Sequence, residues 1–242
     1  MSAPKLWKFA RKTKMRYAIA PKPGPHKKER CLPLGHVIRD LLGFAETARE
    51  VRSILNRGIV KVDGIVRKDI GFPLGLMDVL TIGDTSWRIL PGKRYLELKL
   101  TTGAESVLKL LKVVNKTHVN GKTQLNFHDG RNMLVDRDIY KTSDVVVYDS
   151  TAKAVKGAVQ FKRGTLVLIT EGKERGKVGR VENIIVLRSC QPNRVVIKSE
   201  KETVETLKDF AFAIGQDKPL ISLESADSSD LRVRKANSAI SL

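Results

Sequence analysis

The sequence predicts a multi-domain α+β protein, with a helix pair and small sheet first, then a central β-rich domain and a small C-terminal β-barrel. Three observations support this order. Apolar residues recur at helical spacing between residues 33 and 58. Short apolar runs separated by Asn-Gly and Asp-Gly turns follow residue 93. Cations dominate the first thirty residues, which predicts an extended basic N-terminal arm ahead of the folded domains.

The N-terminal arm is predicted from its composition. Residues 1–30 contain ten lysines and arginines, four prolines and one acidic residue, Glu29. Such a segment cannot bury a core by itself, so we expect it to be disordered when free and to become ordered on an anionic surface. Trp7, Phe9 and Tyr17 offer stacking or packing contacts that a solubilising tail would not need. We assign residues 1–32 to this arm.

Two helices are predicted next. An apolar face begins after Pro33, which suits the first turn of a helix, and Gly43 can end that helix. Thr47 and Glu50 have the spacing of a capping box, in which each side chain satisfies a backbone donor at the helix start. The second helix should therefore begin at about Ala48.

A small sheet should follow the helices and complete a domain at residues 33–90. Gly58 suits the end of the second helix because it tolerates a left-handed conformation. Asp63-Gly64 predicts a tight hairpin between two short apolar runs. Residues 72–75 read as a turn, and residues 77–82 as a buried strand.

Residues 91–160 are predicted to form the central β-rich domain. Apolar and charged residues alternate from 96 to 100, and Asn120-Gly121 and Asp129-Gly130 are strong hairpin turns. Residues 107–114 fit either a strand or a short helix, and the flanking β signals favour a strand. His118 and His128 flank the Asn120-Gly121 hairpin, but no cysteine or carboxylate cluster accompanies them to form a metal site.

Residues 161–223 are predicted to form a small β-barrel. An apolar strand at residues 166–169 enters a glycine- and cation-rich loop, and alternation resumes at Val181. Glycines at 172, 176 and 179 leave the loop free to turn sharply and to approach a partner closely. The tail at residues 224–242 is rich in serine and poor in apolar residues, which predicts disorder.

The charge of the chain predicts a polyanionic partner. The formal net charge is +19 over 242 residues. Basic side chains bind nucleic acid by displacing condensed counterions from phosphates. Structured RNA is favoured over DNA because several small cationic modules and an arm suit an irregular folded shape. A membrane partner is disfavoured, since the sequence contains no long apolar run and no lipidation signal. The N-terminus also lacks a signal-peptide core, and two cysteines suit a reducing compartment.

Catalytic, cofactor and metal sites are not predicted. The glycine loop departs from a phosphate-binding P-loop because only three residues, instead of four, separate Gly172 from the Gly176-Lys177 pair, and Val178 stands where the motif has Ser or Thr. His26, Cys31 and His36 are close in sequence, but their loose spacing is weak support for zinc. No dinucleotide fingerprint, nucleophile elbow or Cys-x-x-Cys motif is present. We therefore expect no cofactor, no metal and no small-molecule substrate.

Four stretches carry a family resemblance that extends to about Leu223. They are GHVIRDLLGFAETAREVRSILNRGIVKVDG, RKDIGFPLGLMDVL, LPGKRYLELKLTTGAESVLKLLKVVNKTHVNGKTQLNFHDGRN and EGKERGKVGRV. The chain resembles the archaeal and eukaryotic-type S-four-e (S4e) family of small-subunit ribosomal proteins. The resemblance implies an S-four-like RNA-binding fold at about residues 38–90, a central β domain, a C-terminal barrel of the KOW (SH3-like) type and no catalytic role.

The candidate RNA contacts combine the cationic pattern with the resemblance. In S-four-like folds the helix pair and hairpin face RNA, and in KOW-like modules the glycine-centred loop is a contact element. The predicted RNA-binding residues are Lys5, Lys8, Arg11, Lys12, Lys14, Arg16, Lys27, Lys28, Arg49, Arg52, Arg57, Lys61, Arg67, Lys68, Lys173, Arg175, Gly176, Lys177 and Arg180.

The sequence thus predicts a structural constituent of the small ribosomal subunit that clamps ribosomal RNA and supports subunit assembly and translation. Its expected partners are small-subunit ribosomal RNA and neighbouring ribosomal proteins, and its expected location is the cytoplasmic ribosome. The alternatives are a dissociable RNA-binding factor of translation or RNA processing, and an RNA-modifying enzyme for which residues 93–160 offer no convincing catalytic group.

Overall fold

The computed structural model describes Pro4, Trp7 and residues 18–101, 103–187, 189–199 and 202–223. Phe9, Tyr17, the predicted arm cations at residues 5–16 and the tail at 224–242 lie outside the described residues. The described chain divides into two compact units. The first contains the residues up to Leu90 together with Tyr95–Val107, and the second contains Pro91–Arg94 and Leu108–Leu223.

The first helix begins after Pro33 and ends at Gly43, as predicted. It starts as an α-helical turn, α1 (Leu34–His36), and continues as a π-helical segment, Val37–Leu42. The carbonyl of Ile38 accepts hydrogen bonds from the N–H groups of Gly43 and Phe44, five and six residues on, which widens the final turn. Gly43 then reverses the chain with a φ of 68°.

The second helix, α2 (Ala48–Asn56), confirms the predicted capping box. Thr47 Oγ1 accepts from the Glu50 N–H at 3.2 Å and donates to Glu50 Oε1 at 2.8 Å. The second carboxylate oxygen of Glu50 accepts from the Glu46 N–H, so the box extends one residue upstream of the usual pattern. Gly58, with a φ of 76°, follows the helix end.

The first unit contains a two-stranded ladder and a five-stranded sheet. The ladder pairs β1 (Leu32–Pro33) with β4 (Pro73–Leu74), so residues 73–74 extend a strand where the sequence predicted only a turn. The sheet has the order β3-β2-β5-β6-β7. Its strands are β2 (Val60–Val62), β3 (Ile65–Val66), β5 (Val79–Ile82), β6 (Thr85–Pro91) and β7 (Leu96–Thr101). The predicted Asp63-Gly64 turn joins β2 to β3 with both φ values positive.

One hydrophobic core joins the helices to this sheet. Val51 and Leu55 of α2 are fully buried in it, together with Leu80 of β5 and Ile89 of β6. Trp7 also belongs to this core at 4% exposure. The helices and hairpin are therefore held in place by the packing of their apolar sides, which leaves their basic side chains on the opposite side.

The second unit begins with a five-stranded sheet of order β10-β9-β8-β11-β12. Its strands are β8 (Leu108–Val119), β9 (Lys122–Phe127), β10 (Asn132–Val135), β11 (Val145–Asp149) and β12 (Ala154–Val159). The ambiguous run at 107–114 is thus a strand, as favoured from sequence. Asn120-Gly121 and Asp129-Gly130 form the predicted hairpin turns.

The last five strands form an antiparallel sheet of order β16-β15-β14-β13-β17. They are β13 (Leu166–Ile169), β14 (Val178–Ile185), β15 (Arg194–Lys198), β16 (Thr203–Leu207) and β17 (Ala211–Gly215). Register shifts bend β13 and β14, but the end strands β16 and β17 are not neighbours in this sheet. The predicted small barrel is therefore present as a half-barrel. Among the described helices, none is long and apolar enough to cross a membrane.

Candidate nucleic-acid interface

The helix α2 and the β2–β3 hairpin form a surface that we call the cationic platform. It consists of Arg49, Arg52, Arg57, Lys61 and Lys68, all of which are exposed. Val51 and Leu55 hold the apolar side of α2 in the core, so Arg49 and Arg52 remain on its solvent side. Period-two alternation likewise places Lys61 outside and its neighbours in β2 inside.

Within the part of the chain that the structure describes, the platform cations are not neutralised. Among the described residues, none of the five makes an ion pair. Their shared field is therefore available to an external anion, which would displace no partner from the described residues. This arrangement suits a polyphosphate backbone, on which successive charges engage several cations at once.

Arg67 occupies a different setting at the edge of this surface. Its guanidinium lies over the ring of Phe72, 4.4 Å from the ring centroid, and its side chain is half-buried. Its backbone N–H donates to the Val60 carbonyl at 3.1 Å, which continues the hairpin. The stacking fixes the guanidinium plane, so Arg67 would present its remaining N–H groups in one orientation.

The glycine loop after β13 is a tight reversal supported by the backbone. Gly176 donates to the Ile169 carbonyl at 2.8 Å and adopts a φ of 82°. A Cβ atom there would lie 3.0 Å from the Pro91 carbonyl oxygen, so Gly176 permits a close approach by the segment Pro91–Arg94. Arg175 is 7% exposed. The loop therefore directs the side chain of Arg175 inward.

Two of the predicted cations near this loop have acidic partners. Lys177 Nζ lies 2.6 Å from Glu174 and 3.0 Å from Glu202, and these hydrogen bonds raise the pKa of the lysine above its ordinary value. Arg180 lies 3.7 Å from Asp217 and donates to that residue's carbonyl. Lys173, by contrast, is exposed and makes no ion pair within the described part of the chain.

Lys93 is a further cation that sequence reasoning missed. It is exposed, and its charge contributes to the lowered pKa of Glu174, behind the larger effects of Lys177 and Lys173. The close approach of Pro91–Arg94 to Gly176 brings Lys93 beside the loop. No local pattern could have indicated this, because more than eighty residues separate Lys93 from Gly176 in sequence.

The N-terminal segment contributes packing as well as charge. Trp7 Nε1 donates to the Cys31 carbonyl at 2.7 Å, and the Trp7 ring stacks on His36 with centroids 5.5 Å apart. Lys27 and Lys28 are exposed. The other predicted arm contacts, Lys5, Lys8, Arg11, Lys12, Lys14 and Arg16, lie outside the described residues.

The histidines and cysteine considered for zinc have other partners. His26 Nε2 lies 2.9 Å from Asp78, and His36 Nδ1 is hydrogen-bonded to Asp40. Burial, with a smaller effect of the Asp78 charge, raises the pKa of the Cys31 thiol to about 11, which disfavours the thiolate that binds metals. In the described part of the chain, no group of three or more His, Cys, Asp or Glu residues could hold a metal ion.

Comparisons with known proteins assign the family. The S4 domain profile matches residues 40–80, and the profile described as Ribosomal family S4e matches residues 84–155. The small ribosomal subunit protein eS4 of Archaeoglobus fulgidus is 42% identical over 231 residues, which cover 92% of this chain and 96% of that protein. The chain belongs to the S4e family. The S4e protein of Pyrobaculum arsenaticum is 40% identical over 91% of this chain and 96% of its own length.

A solved S4e structure supports the fold of this family member. The crystal structure of the 30S ribosomal protein S4e from Thermoplasma acidophilum matches with a TM-score of 0.70 and 30% identity, over 81% of this chain and 100% of that one. The S4 domain match at residues 40–80 contains α2, the β2–β3 hairpin and all five platform cations. The predicted S4-like domain is thereby confirmed, and the cationic platform is part of it.

Proposed function

We propose that this S4e protein is a structural constituent of the small ribosomal subunit, where it binds ribosomal RNA and has no catalytic role. The observation that carries the proposal is its 42% identity, over 92% of the chain, to a small ribosomal subunit protein. The net charge of +19 is consistent with this role, because an RNA-bound protein must offset the repulsion between neighbouring phosphates.

The cationic platform is the first RNA contact in this proposal. Its five cations lack acidic partners among the described residues and lie on a rigid helix and hairpin. They would contact phosphates and fix the orientation of the RNA without reading its sequence. Arg67, held over Phe72, would add a guanidinium of fixed geometry at the margin.

The half-barrel is the second contact, as a KOW-type module. Lys173 and Lys93 supply exposed cations beside the glycine loop. Arg175 and Gly176 would shape the loop, whereas Lys177 and Arg180 would have to exchange their acidic partners for phosphate. Because exposed ion pairs contribute little stability, breaking these pairs would cost little free energy. Lys27 and Lys28, with the arm, would extend the contact to adjacent RNA and proteins of the cytoplasmic ribosome.

Sedimentation tests this function directly. Native cell extract is fractionated on a sucrose gradient after a high-salt wash, and the chain is quantified in each fraction against a known small-subunit protein. We expect it to remain with the small subunit at about one copy per particle. Release into the soluble fractions would overturn the structural role and favour a dissociable RNA-binding factor.

A further inference from the structure

Arg67 is half-buried, and its guanidinium has no acceptor among the described residues. The guanidinium carbon lies 4.4 Å from the centroid of the Phe72 ring, and the Nε atom is buried. No carboxylate, carbonyl or hydroxyl oxygen of the described chain accepts a hydrogen bond from Nε or from the terminal nitrogens. This state is unfavourable, because N–H groups lose water without gaining a protein partner. The side chain is therefore arranged for an acceptor from outside the described chain.

The nearest acidic residue along the chain does not neutralise Arg67. Asp69 lies two residues further on, but one of its carboxylate oxygens accepts from Lys22 Nζ at 2.7 Å. Its other oxygen accepts from the Gly71 N–H at 3.0 Å. The charge of Arg67 therefore adds to that of its exposed neighbour Lys68, and the site attracts an anionic ligand that carries acceptors.

Two exposed aliphatic side chains precede Arg67. Ile65 and Val66 of β3 are 48% and 42% exposed. The Arg67 N–H donates to the Val60 carbonyl, which extends the β2–β3 pairing by one residue. Period-two alternation therefore places Ile65 on the same side of the hairpin as Arg67. A phosphate group would leave this aliphatic surface in water, so the ligand that suits the site has an apolar face as well as acceptors.

A nucleobase combines an apolar face with hydrogen-bond acceptors. Proteins read the sequence of structured RNA mainly at loops, bulges and ends, because the major groove of a regular RNA helix is too narrow for side chains. Arginine carries only donors, and guanine is the base whose major-groove edge presents two adjacent acceptors, O6 and N7. Because Nε of Arg67 is buried, its two terminal nitrogens form the donor fork that faces solvent. Such a fork matches O6 and N7 of one guanine.

We propose that Arg67 is a base-reading residue, whose guanidinium binds O6 and N7 of one guanine in or beside a loop or bulge of small-subunit RNA. Phe72 holds the guanidinium in place, and Ile65 packs against the base or its ribose. The platform cations position the RNA through its phosphates, whereas Arg67 selects its sequence. This inference rests on the proposed function, since it specifies which part of ribosomal RNA the surface contacts.

Analogue interference tests the guanine contact. Small-subunit RNA is transcribed with a low fraction of 7-deazaguanosine phosphorothioate, in which a C–H group replaces N7, and with guanosine phosphorothioate as the control. RNA bound to the full chain is separated from free RNA on filters, and iodine cleavage reports the analogue positions. We expect one guanosine at which the analogue is depleted from RNA bound to the wild type but not from RNA bound to Arg67→Lys. Identical patterns for the two proteins, or no depletion with the wild type, would overturn the inference.

Two variants that preserve charge separate base reading from phosphate binding. Arg67→Lys keeps the positive charge but loses the planar fork, and Arg52→Lys makes the same change within the platform. We expect Arg67→Lys to lower the affinity for small-subunit RNA by about tenfold with the salt slope unchanged. Arg52→Lys should have a much smaller effect, because phosphate also binds lysine as a point charge. Wild-type affinity in Arg67→Lys would show that the site needs only charge, which would refute base reading.

Two further controls separate failure of this inference from other failures. Thermal unfolding checks that Arg67→Lys folds, and Arg67→Met is a second variant that should fold because it removes a donor without an acceptor among the described residues. The interference at the same guanosine must also be absent with Arg67→Met. If the wild-type chain does not bind small-subunit RNA, the proposed function and base reading both fail. If it binds that RNA but shows no interference that depends on Arg67, only base reading fails.

Discussion

The ammonium of Lys109 lies 3.0 Å from a carboxylate oxygen of Asp129, and both side chains are 1% exposed. Lys109 is in β8, and Asp129 is in the turn that follows β9, so the pair ties the start of one strand to the end of its neighbour. Arg131 Nε also contacts Asp129, at 3.1 Å. Burial makes this pair expensive to disrupt, since removal of one partner leaves a buried charge uncompensated.

Replacement of Lys109 is therefore expected to destabilise the protein strongly. Lys109→Met should lower the free energy of unfolding by about 3–5 kcal/mol, measured by urea denaturation. The matched control is Lys122→Met, in the same sheet, whose exposed pair with Asp136 should contribute about 0–1 kcal/mol. Similar losses in the two variants would contradict the importance of burial.

Acid should weaken the same pair. Burial alone would raise the pKa of Asp129, but the charges of Lys109 and His128, with hydrogen bonds from Arg131 and Lys109, hold that pKa below its ordinary value. A carboxyl with a lowered folded-state pKa stabilises the fold above its unfolded-state pKa, and this contribution disappears as the pH falls through the folded value. Unfolding of the wild type should be more acid-sensitive below about pH 4 than that of Asp129→Asn. If the unfolding free energies of the wild type and of Asp129→Asn changed with pH in parallel, this role of the Asp129 carboxylate would be refuted.

The platform and the paired cations should differ in RNA binding although their charges are equal. A variant with Arg49, Arg52 and Lys61 changed to Gln is compared with one in which Lys122, Lys156 and Arg194, all ion-paired, are changed to Gln. The platform variant should bind small-subunit RNA more weakly. The slope of log affinity against log salt should fall by about 2–3, because each lost phosphate contact lowers it by about 1.

The control triple should leave that slope nearly unchanged. Filter binding at several salt concentrations measures both quantities. For the wild type, about six to ten phosphate contacts would lower the affinity by about three to five orders of magnitude between roughly 50 and 200 mM salt. An equal loss in the two triple variants would mean that net charge, rather than the platform, governs binding.

The two cysteines should differ in reactivity. Cys31 is fully buried and its pKa is raised to about 11, whereas Cys190 is exposed. At pH 8 the Cys31 thiol is protonated, because the pH lies well below its pKa. A thiol reagent should therefore modify Cys31 on the order of a hundredfold more slowly than Cys190. The labelling rate of Cys31 is measured in Cys190→Ser, and that of Cys190 in Cys31→Ser. Rapid labelling of Cys31 in the folded chain would contradict its burial.

Two glycines of the half-barrel separate backbone strain from close contact. Gly164 and Gly176 have φ values of 85° and 82°, and a side chain at either costs about 1–2 kcal/mol. A Cβ at Gly164 would meet nothing within 4 Å, whereas one at Gly176 would meet the Pro91 carbonyl. Gly176→Ala should therefore lower the unfolding free energy by more than Gly164→Ala does. Equal losses of unfolding free energy in the two variants would contradict the close contact between Gly176 and the Pro91 carbonyl.

Local sequence signals were sufficient for the helix starts and the hairpins. The Thr47 capping box, the Asp63-Gly64 turn and the Asn120-Gly121 turn depend on residues a few positions apart, and the structure contains each of them. Pairing between distant segments was not accessible in the same way. Residues 73–74 read locally as a turn, yet they pair with Leu32–Pro33, about forty residues upstream.

The same limit applies to the candidate interface. Positive charge was the basis for selecting both the platform cations and the cations of the glycine loop. The sequence could not separate the two groups, because it does not show which cations have acidic side chains nearby in the fold. Glu202, which pairs with Lys177, is 25 residues away, and Asp217, which pairs with Arg180, is 37 residues away. The burial of Arg175 likewise depends on tertiary packing and left no local signature.

The position of Trp7 has a spectroscopic consequence. The chain contains two tryptophans, Trp7 and Trp87, and both are buried in the core of the first unit. Tyrosine and phenylalanine emit weakly beside tryptophan, so the intrinsic fluorescence of this protein reports on the first unit alone. A denaturation curve recorded by fluorescence would not detect unfolding of the second unit, which contributes mainly β-structure to the circular dichroism. The difference between the two curves would give the stability of each unit from one unlabelled sample.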